Sequence, residues 1–428
     1  MTAVPRLDRV AQHIEQYLVL HSAYRKSDAL RGAIDEVEVL QKSLIVVRGR
    51  VAARILEVVN TWHRLLTVEY QTLQAQAKEA REIPNPFVYG NPVAETAYNV
   101  FTGREDIRQH IEESILGATQ VPTLLLQGPR RMGKSSILKQ LPRMLGLSFA
   151  PVEVDCQNPA MTESLLMLLR YLSRAMSDGL QCRQIQIEPL AREALAHEPF
   201  TAFDEWLDRV EQALPESMRL LLCLDEYEYL QHTLEAGWGI ALLDALRHTL
   251  QHRPRLVLMF TGAHTFAELG PAWTGRFINA RRIRVSFLTY DEVLPLLTRP
   301  IPNFDMTYAP GALKALYTAT HGQPFLTQAL AFELVQYLNE QRHTEATLEA
   351  VEVAITRALQ AGDSYFANVW NDVGSEGQAI LRALVCGETL PDIPEALSWL
   401  REHDVLNDAG TFAVPMVERW VREHIVKG

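Results

Sequence analysis

The chain has 428 residues, of which 47% are hydrophobic and 22% are charged, a globular composition that excludes wholesale disorder. Lys and Arg number 41 against 52 Asp and Glu, and the net charge of -11 excludes a general positive field for nucleic acid or anionic lipid. At about 150 residues per domain, the length predicts roughly three structural units.

The N-terminal region predicts amphipathic helices. A short helix is expected near residues 10–20, and the proline-free stretch 28–80 carries apolar residues mostly three or four positions apart. These apolar residues are Leu30, Ile34, Val37, Leu40, Leu44, Val47, Val51, Ile55, Val58, Trp62, Leu65 and Leu73. A stripe this long needs a partner surface, so residues 1–82 are expected to form an α-helical hairpin or coiled-coil arm. The arm either packs on the rest of the chain or docks to another protein.

Proline and glycine cluster in residues 82–95 and predict a domain boundary there. Beyond it, β-type apolar runs alternate with helical stretches. These runs are residues 123–127, 150–155, 220–225, 256–261 and 283–288. This alternation is typical of a parallel α/β sheet with at least five strands, and residues 83–300 are expected to form that core.

After Pro302 the strand-type runs stop. Residues 311–319, 324–340 and 347–360 each have a helical pattern, so residues 301–370 are expected to form a helical lid subdomain.

The last segment, residues 371–428, has the element order of a small winged-helix-like module. Helices are expected at residues 377–384 and 394–402, followed by two short extended pieces around Val405 and Phe412 and a final helix from Pro415.

A phosphate-binding motif, G-x-x-x-x-G-K-S, follows the first predicted strand and precedes a helical run at residues 137–145. Its glycines allow backbone N–H groups to surround phosphate oxygens, and the helix N-terminus adds a positive dipole end. Lys134 is expected to reach the β- and γ-phosphates, and Ser135 to hold Mg²⁺. The expected nucleotide-binding residues are Gly128, Pro129, Arg130, Arg131, Met132, Gly133, Lys134, Ser135 and Ser136.

An acidic pair, Asp225 and Glu226, follows the apolar run at residues 220–225. This is a Walker B pattern, in which Asp225 binds Mg²⁺ and Glu226 orients or deprotonates the attacking water. The 91 residues between Lys134 and Asp225 include the run that ends at Asp155, so an extra strand can insert between the two motif strands. That arrangement favours an additional-strand ATPase, and the absence of an N-K-x-D motif favours ATP over GTP.

Four segments together resemble the signal-transduction ATPases with numerous domains (STAND), especially the archaeal-type and bacterial AAA-like ATPases close to them. They are NPFVYGNP at residues 85–92, FTGRE at 101–105, RRMGKS at 130–135 and HGQP at 321–324. The resemblance covers residues 85–428. It implies a P-loop ATPase with a helical lid and bound ATP or ADP with Mg²⁺.

The same resemblance implies roles for further residues. Gly103 and Arg104 would lie along the adenine side of the nucleotide, and Pro324 of the lid would contact it. The alternative for residues 322–324 is a helix stop followed by proline in the first turn of the next helix.

Two more candidates follow the fourth predicted strand. Thr261 resembles the sensor 1 position, where a polar group detects the γ-phosphate. Arg276 is a candidate arginine finger, although Arg281 and Arg282 are close rivals and all three also fit solvated surface residues. The chain lacks the arginine that plant and animal immune receptors place shortly after this strand.

Two functional classes remain. One is an ATP-hydrolysing molecular switch that acts on a protein partner through residues 1–82, with or without nucleotide-dependent homo-oligomerisation. The other is an AAA+ ATPase of the origin-recognition or transposition-regulator type that acts on DNA. Residues 375–428 contain five basic and nine acidic residues, which favours the switch because DNA binding rests on clustered Lys and Arg.

No other catalytic centre is indicated, because the chain has no H-E-x-x-H or G-x-S-x-G motif. The four cysteines form no C-x-x-C pair, which suggests a reducing compartment. The N-terminus lacks the apolar segment of a signal peptide, and no run of about 18 uncharged apolar residues occurs. We therefore expect a cytoplasmic protein that does not span a membrane.

Overall fold

The computed structural model describes residues 4–20, 23–45, 50–79, 82–94, 99–116, 122–302 and 304–426. It divides into two compact units. The first comprises Met1–Pro86, Thr298–Ala315 and Leu330–Arg357, and the second comprises Phe87–Leu297, Leu316–Ala329 and Ala358–Gly428.

Helices and strands account for most of the described chain. The α-helices are α1 Val4–Val19, α2 Ala23–Ile45, α3 Arg50–Glu79, α4 Glu105–Leu116, α5 Lys134–Met144, α6 Ala160–Glu163, α7 Leu165–Gln181, α8 Pro199–Ala213, α9 Gln231–Glu235, α10 Gly239–His252, α11 Phe266–Leu269, α12 Pro271–Thr274, α13 Tyr290–Thr298, α14 Ala312–Thr320, α15 Pro324–Gln341, α16 Leu348–Ala361, α17 Asp363–Asp372, α18 Gly374–Cys386, α19 Pro394–Glu402 and α20 Pro415–Val421. The strands are β1 Leu124–Gln127, β2 Phe149–Asp155, β3 Arg219–Asp225, β4 Leu256–Gly262, β5 Arg281–Arg284, β6 Thr307–Tyr308 and β7 Glu345–Ala346.

A five-stranded parallel sheet in the order β2-β3-β4-β1-β5 forms the centre of the second unit. The predicted α/β class and five-stranded parallel core are therefore confirmed. An extra strand does lie between the two motif strands, as predicted. The expectation that the run ending at Asp155 supplies it is wrong, because the inserted strand is β4 and β2 lies at the sheet edge. The fifth strand ends at Arg284, so its predicted extent over residues 283–288 is also wrong.

The two faces of the sheet are covered by different helices. Along β3, Leu221 and Cys223 face a core that contains α4 and α5, whereas Leu222 and Leu224 face a core that contains α7, α8 and α10. Since side chains alternate along a strand, Asp225 follows Leu221 and Cys223 onto the α5 face. This alternation directs the carboxylate toward the segment that precedes α5.

The region after Pro302 is helical, as the pattern predicted, but it is not free of strands. The short strands β6 and β7 pair in parallel, Thr307 with Glu345 and Tyr308 with Ala346. In the last segment, α18 and α19 are followed by an antiparallel bridge between Leu406 and Phe412 and then by α20. The winged-helix-like assignment remains a prediction.

The first unit begins with three antiparallel helices. Arg9 forms an ion pair with Glu36 at 3.0 Å, and Gln41 donates to Asn60 at 2.8 Å. Within residues 28–80, α2 and α3 are two separate helices that pack side by side. The hairpin or coiled-coil assignment of residues 1–82 stays a prediction. Val47 of the predicted stripe lies outside the described residues.

The apolar stripe divides between these helices. Leu30, Val37 and Leu40 of α2 are at most 1% exposed, and a core of α1, α2 and α3 residues surrounds Val37. On α3, by contrast, five apolar side chains are between 39% and 55% exposed. They are Ile55, Val58, Trp62, Leu65 and Val68. We call these five residues the α3 stripe.

The linker after α3 is fixed to α15 within the first unit. The backbone N–H of Ile83 donates to Asn339 Oδ1 at 2.8 Å, and Asn339 Nδ2 donates to the Ile83 carbonyl at 2.9 Å.

None of the described helices combines the length and the hydropathy of a membrane-spanning segment.

Gly322 is expected to be irreplaceable in the turn before α15. It has φ of 74°, and a Cβ there would lie 1.8 Å from the Leu288 carbonyl oxygen. Gly374 has φ of 65° with open space around it, so it is a matched control. We expect Gly374→Ala to cost about 1 kcal/mol and Gly322→Ala at least about 2 kcal/mol more. Thermal unfolding without nucleotide tests this, and equal midpoints for the two variants would contradict it.

Candidate functional site

A cavity of about 500 Å³ opens at the carboxyl end of the sheet. This is where ligands bind in open parallel α/β sheets. Most of the predicted site residues line it. They are Arg104, Arg130, Arg131, Met132, Gly133, Lys134, Ser135, Ser136, Asp225, Glu226 and Pro324.

The loop between β1 and α5 has the conformation that its glycines allow. Gly133 caps α5 with φ of 85°, and a Cβ at this position would meet open space. Arg131 is left-handed as well, with φ of 64°. Backbone N–H groups of residues 130–133 donate to no acceptor within the described part of the chain. Consecutive unpaired N–H groups at a helix N-terminus form a nest that binds anions.

Lys134 is folded back over this loop. Its side chain is 4% exposed, and Nζ donates to the carbonyl oxygens of Gly128 at 2.9 Å and Pro129 at 3.0 Å. Burial lowers the pKa of Lys134, while the carboxylates of Glu226, Glu228 and Asp225 oppose that shift. Among the described residues, the hydrogen bonds of the ammonium group are therefore to these two neutral carbonyl groups.

The phosphate loop and the acidic strand end meet directly. Ser135 Oγ donates to Asp225 Oδ2 at 2.6 Å. Burial raises the pKa of Asp225, although the Ser135 hydroxyl and the charge of Lys134 oppose the increase. Ser136 has a different contact, since its Oγ accepts from the Val93 N–H at 2.9 Å.

Glu226 lines the cavity from a strained backbone position. Its φ of 51° is in the left-handed region, which is unusual for a residue with a side chain. Burial raises the pKa of Glu226, and the positive charge of Lys134 opposes part of that increase. A carboxylate with a raised pKa near a cavity is suited to accept a proton.

Arg104 lines the cavity but uses its guanidinium to support the protein backbone. Nη1 donates to the Ser286 carbonyl at 2.7 Å, and Nη2 donates to the Met132 carbonyl at 3.1 Å. Its side chain is buried, and burial lowers its pKa. Gly103 is outside the cavity lining, and a Cβ there would overlap the Glu292 carboxylate. The adenine-side roles of both residues remain predictions.

The first turn of α15 supplies another wall. Pro324, Phe325 and Gln328 line the cavity. Gln328 Nε2 donates to the Val100 carbonyl at 3.1 Å, and its Oε1 accepts from the Val88 N–H at 3.4 Å. This side chain therefore joins the two backbone segments of the cavity that precede α4.

Further predicted residues are outside the cavity lining, namely Gly128 and Pro129 of the phosphate loop, Thr261 and Arg276. Thr261 is fully buried beside Asp225 in the sheet register, and its hydroxyl has no partner among the described residues. Arg276 forms a two-point pair with Asp244, at 2.7 and 3.0 Å. Its rival Arg282 donates to Gln127 at 2.7 Å. The sensor and finger roles remain predictions.

Sequence reasoning missed several cavity residues. Glu153 and Asp155 of β2 line it, as do Lys139, Tyr229 and Gln328. Asp155 pairs in register with Asp225, so the sheet brings two strand-end carboxylates together. Alternation along β2 could have placed Glu153 and Asp155 on one face, but the pairing of β2 with β3 is not visible in the sequence.

The site is suited to a phosphate chain with a divalent cation. The nest and Lys134 provide positive groups, while the Ser135 hydroxyl and the Asp225 carboxylate are the oxygen ligands that Mg²⁺ takes alongside phosphate oxygens and water. In the described chain, no cluster of three or more His, Cys, Asp or Glu forms an all-protein metal site. Ser135 and Asp225 are the residues that could hold such a cation.

Several solved structures are similar to this chain, and one of them is an ATPase. The Walker-type ATPase PABY2304 of Pyrococcus abyssi is similar over 79% of this chain and 99% of its own, with a TM-score of 0.58 and 18% identity. The ORC1 protein of Aeropyrum pernix, solved with DNA, has a TM-score of 0.42, 14% identity and coverage of 77% and 96%. RuvB of Thermotoga maritima has a TM-score of 0.39, 12% identity and coverage of 74% and 88%.

No protein-family model and no curated protein matches the chain. The five-stranded parallel sheet, the loop before α5 and the similarity to the Pyrococcus protein together show that the chain has the fold of a P-loop ATPase.

Proposed function

We propose that the chain is an ATP-binding and slowly hydrolysing molecular switch of STAND or AAA-like type, which controls assembly with a protein partner through its N-terminal helices. The observation that carries the proposal is the hydrogen bond between Ser135 and Asp225, which joins the phosphate loop to the acidic strand end. The STAND-like part rests on the sequence resemblance.

Nucleotide binding would use groups that are already oriented. The N–H groups of residues 130–133 and the Lys134 ammonium would bind phosphate oxygens, with Lys134 exchanging its two carbonyl contacts for charged ones. Pro324 and Phe325 would contact the nucleotide from α15. Mg²⁺, held by Ser135 and Asp225, would neutralise charge on the phosphates.

Hydrolysis would depend on Glu226. Its carboxylate lines the same cavity as Lys134 and Asp225, and its raised pKa suits a group that accepts a proton from the attacking water. Thr261 is the proposed γ-phosphate sensor, and Arg276 the proposed finger.

The α3 stripe supports a protein as the partner. Its apolar side chains recur at positions 55, 58, 62 and 65, the three- and four-residue spacing of a helix interface. The acidic segment 375–428 does not favour DNA, because neutralising phosphates requires clustered basic residues.

Lys134→Ala is expected to weaken ATP and ADP binding by about 10- to 100-fold, because a charge-assisted phosphate contact is lost. Isothermal titration measures the affinity, and Lys314→Ala on α14 is the control because Lys314 is exposed. Unchanged affinity in Lys134→Ala would refute the phosphate-site assignment.

Glu226→Gln should bind Mg-ATP normally but hydrolyse it at least about 100-fold more slowly, since the amide keeps the shape and cannot take the proton. Phosphate release assays with Glu235→Gln as an exposed control measure this. Parent-rate hydrolysis in Glu226→Gln would assign the base to another residue.

Leu65→Glu should leave ATP binding unchanged and abolish nucleotide-dependent assembly, because it places a charge in the α3 stripe. Leu65 is 53% exposed, so the fold should tolerate the change. Gln71→Glu adds the same charge at an exposed position of the same helix. Mass photometry with ADP and with a non-hydrolysable ATP analogue compares them. Normal assembly of Leu65→Glu, or duplex DNA binding at physiological salt by the parent chain, would contradict the proposal.

A further inference from the structure

Gln323 makes two hydrogen bonds that the phosphate-loop motif does not explain. It is 2% exposed and immediately precedes α15. Its Oε1 accepts from the Leu326 N–H at 2.6 Å and so caps the helix. Its Nε2 donates to the Arg131 carbonyl at 3.2 Å, in the phosphate loop.

The second bond fixes the direction of a peptide unit. In a planar trans peptide, the carbonyl of one residue and the N–H of the next point in opposite directions. A donor on the Arg131 carbonyl from the α15 side therefore turns the Met132 N–H away from α15. That N–H has no acceptor among the described residues, and Met132 lines the nucleotide cavity.

Arg104 does the same for the next peptide unit. Its Nη2 donates to the Met132 carbonyl at 3.1 Å, which directs the Gly133 N–H the opposite way. Two side chains from outside the loop thus hold two successive peptide units. This arrangement suits a nest of N–H groups that must stay oriented before an anion arrives.

We propose that Gln323 is a positioning residue of the nucleotide site, which holds the Arg131–Met132 peptide so that its N–H faces the phosphates. The inference rests on the proposed nucleotide binding. In this proposal the Gln323 side chain both caps α15 and orients the phosphate loop. Phosphate binding and the placement of α15 therefore stabilise each other.

The test separates the two bonds of Gln323. Gln323→Asn keeps a residue type that caps helices well but is one methylene too short for the Arg131 carbonyl, and Gln323→Met removes both bonds without adding charge. Gln140→Met is the matched control, because Gln140 is 1% exposed and its Nε2 also donates to a backbone carbonyl, that of Ala94, at 2.8 Å. All are made in the full chain.

The readout is the affinity for ADP and for AMP, by titration with Mg²⁺, together with the thermal midpoint without nucleotide. Both Gln323 variants should bind ADP about tenfold more weakly, the effect of one preorganising hydrogen bond, with AMP affinity changed less than twofold. Gln140→Met should keep the parent ratio of the two affinities.

Other outcomes overturn the inference. An equal loss for ADP and AMP in both Gln323 variants would mean a purely structural role, and parent-like ADP binding in either variant would mean that the bond does not orient the loop. Failure of the parent chain to bind ADP or ATP would instead refute the proposed function itself.

Discussion

The hydrogen bond from Ser135 to Asp225 Oδ2 spans two strand ends that are not neighbours in the sheet. Ser135 lies in the first turn of α5, which follows β1 and the phosphate loop. Asp225 ends β3, and β4 lies between β1 and β3. The contact therefore requires the parallel register of all three strands, with Asp225 opposite Thr261 and Gln127 opposite Gly262. The same alignment of carboxyl ends brings the loop before α5 and the left-handed Glu226 to one cavity.

Local pattern was sufficient to predict the parts of the site that lie on single elements. The phosphate loop, the strand that ends in Asp225 and the helices α14, α15 and α16 follow from periodicity and from the positions of glycine and proline. The order of strands does not, because pairing is a contact between distant segments. This is why β2 was expected where β4 lies, and why the carboxylates of Glu153 and Asp155 were not connected with Asp225.

The same limit applies to the walls of the cavity. Gln323 and Gln328 look like ordinary polar residues at the start of a helix, yet both are buried and donate to carbonyls of segments about 190 and 230 positions away in the chain. Because both amides are buried, the loss of either hydrogen bond would leave an unpaired polar group and lower the stability of the fold.

The division of the N-terminal stripe into a covered part and an exposed part also depends on tertiary packing. The apolar periodicity predicts an amphipathic helix for both α2 and α3. Only the packing in the structure shows that the apolar face of α2 is buried while the α3 stripe is exposed.

Backbone strain connects the cavity with its proposed chemistry. Arg104, Arg131 and Glu226 all have positive φ, and all three line the cavity. A left-handed residue with a Cβ costs about 1–2 kcal/mol, so the fold must hold each of them by other contacts. Arg104 is held by two carbonyl acceptors, and the Arg131 carbonyl is held by Gln323. The Glu226 N–H donates to Asp225 Oδ1 at 3.2 Å. The contacts that hold these strained residues are thus the ones that orient the nest and place the carboxylate, which makes the strain a cost of preorganisation rather than a defect of packing.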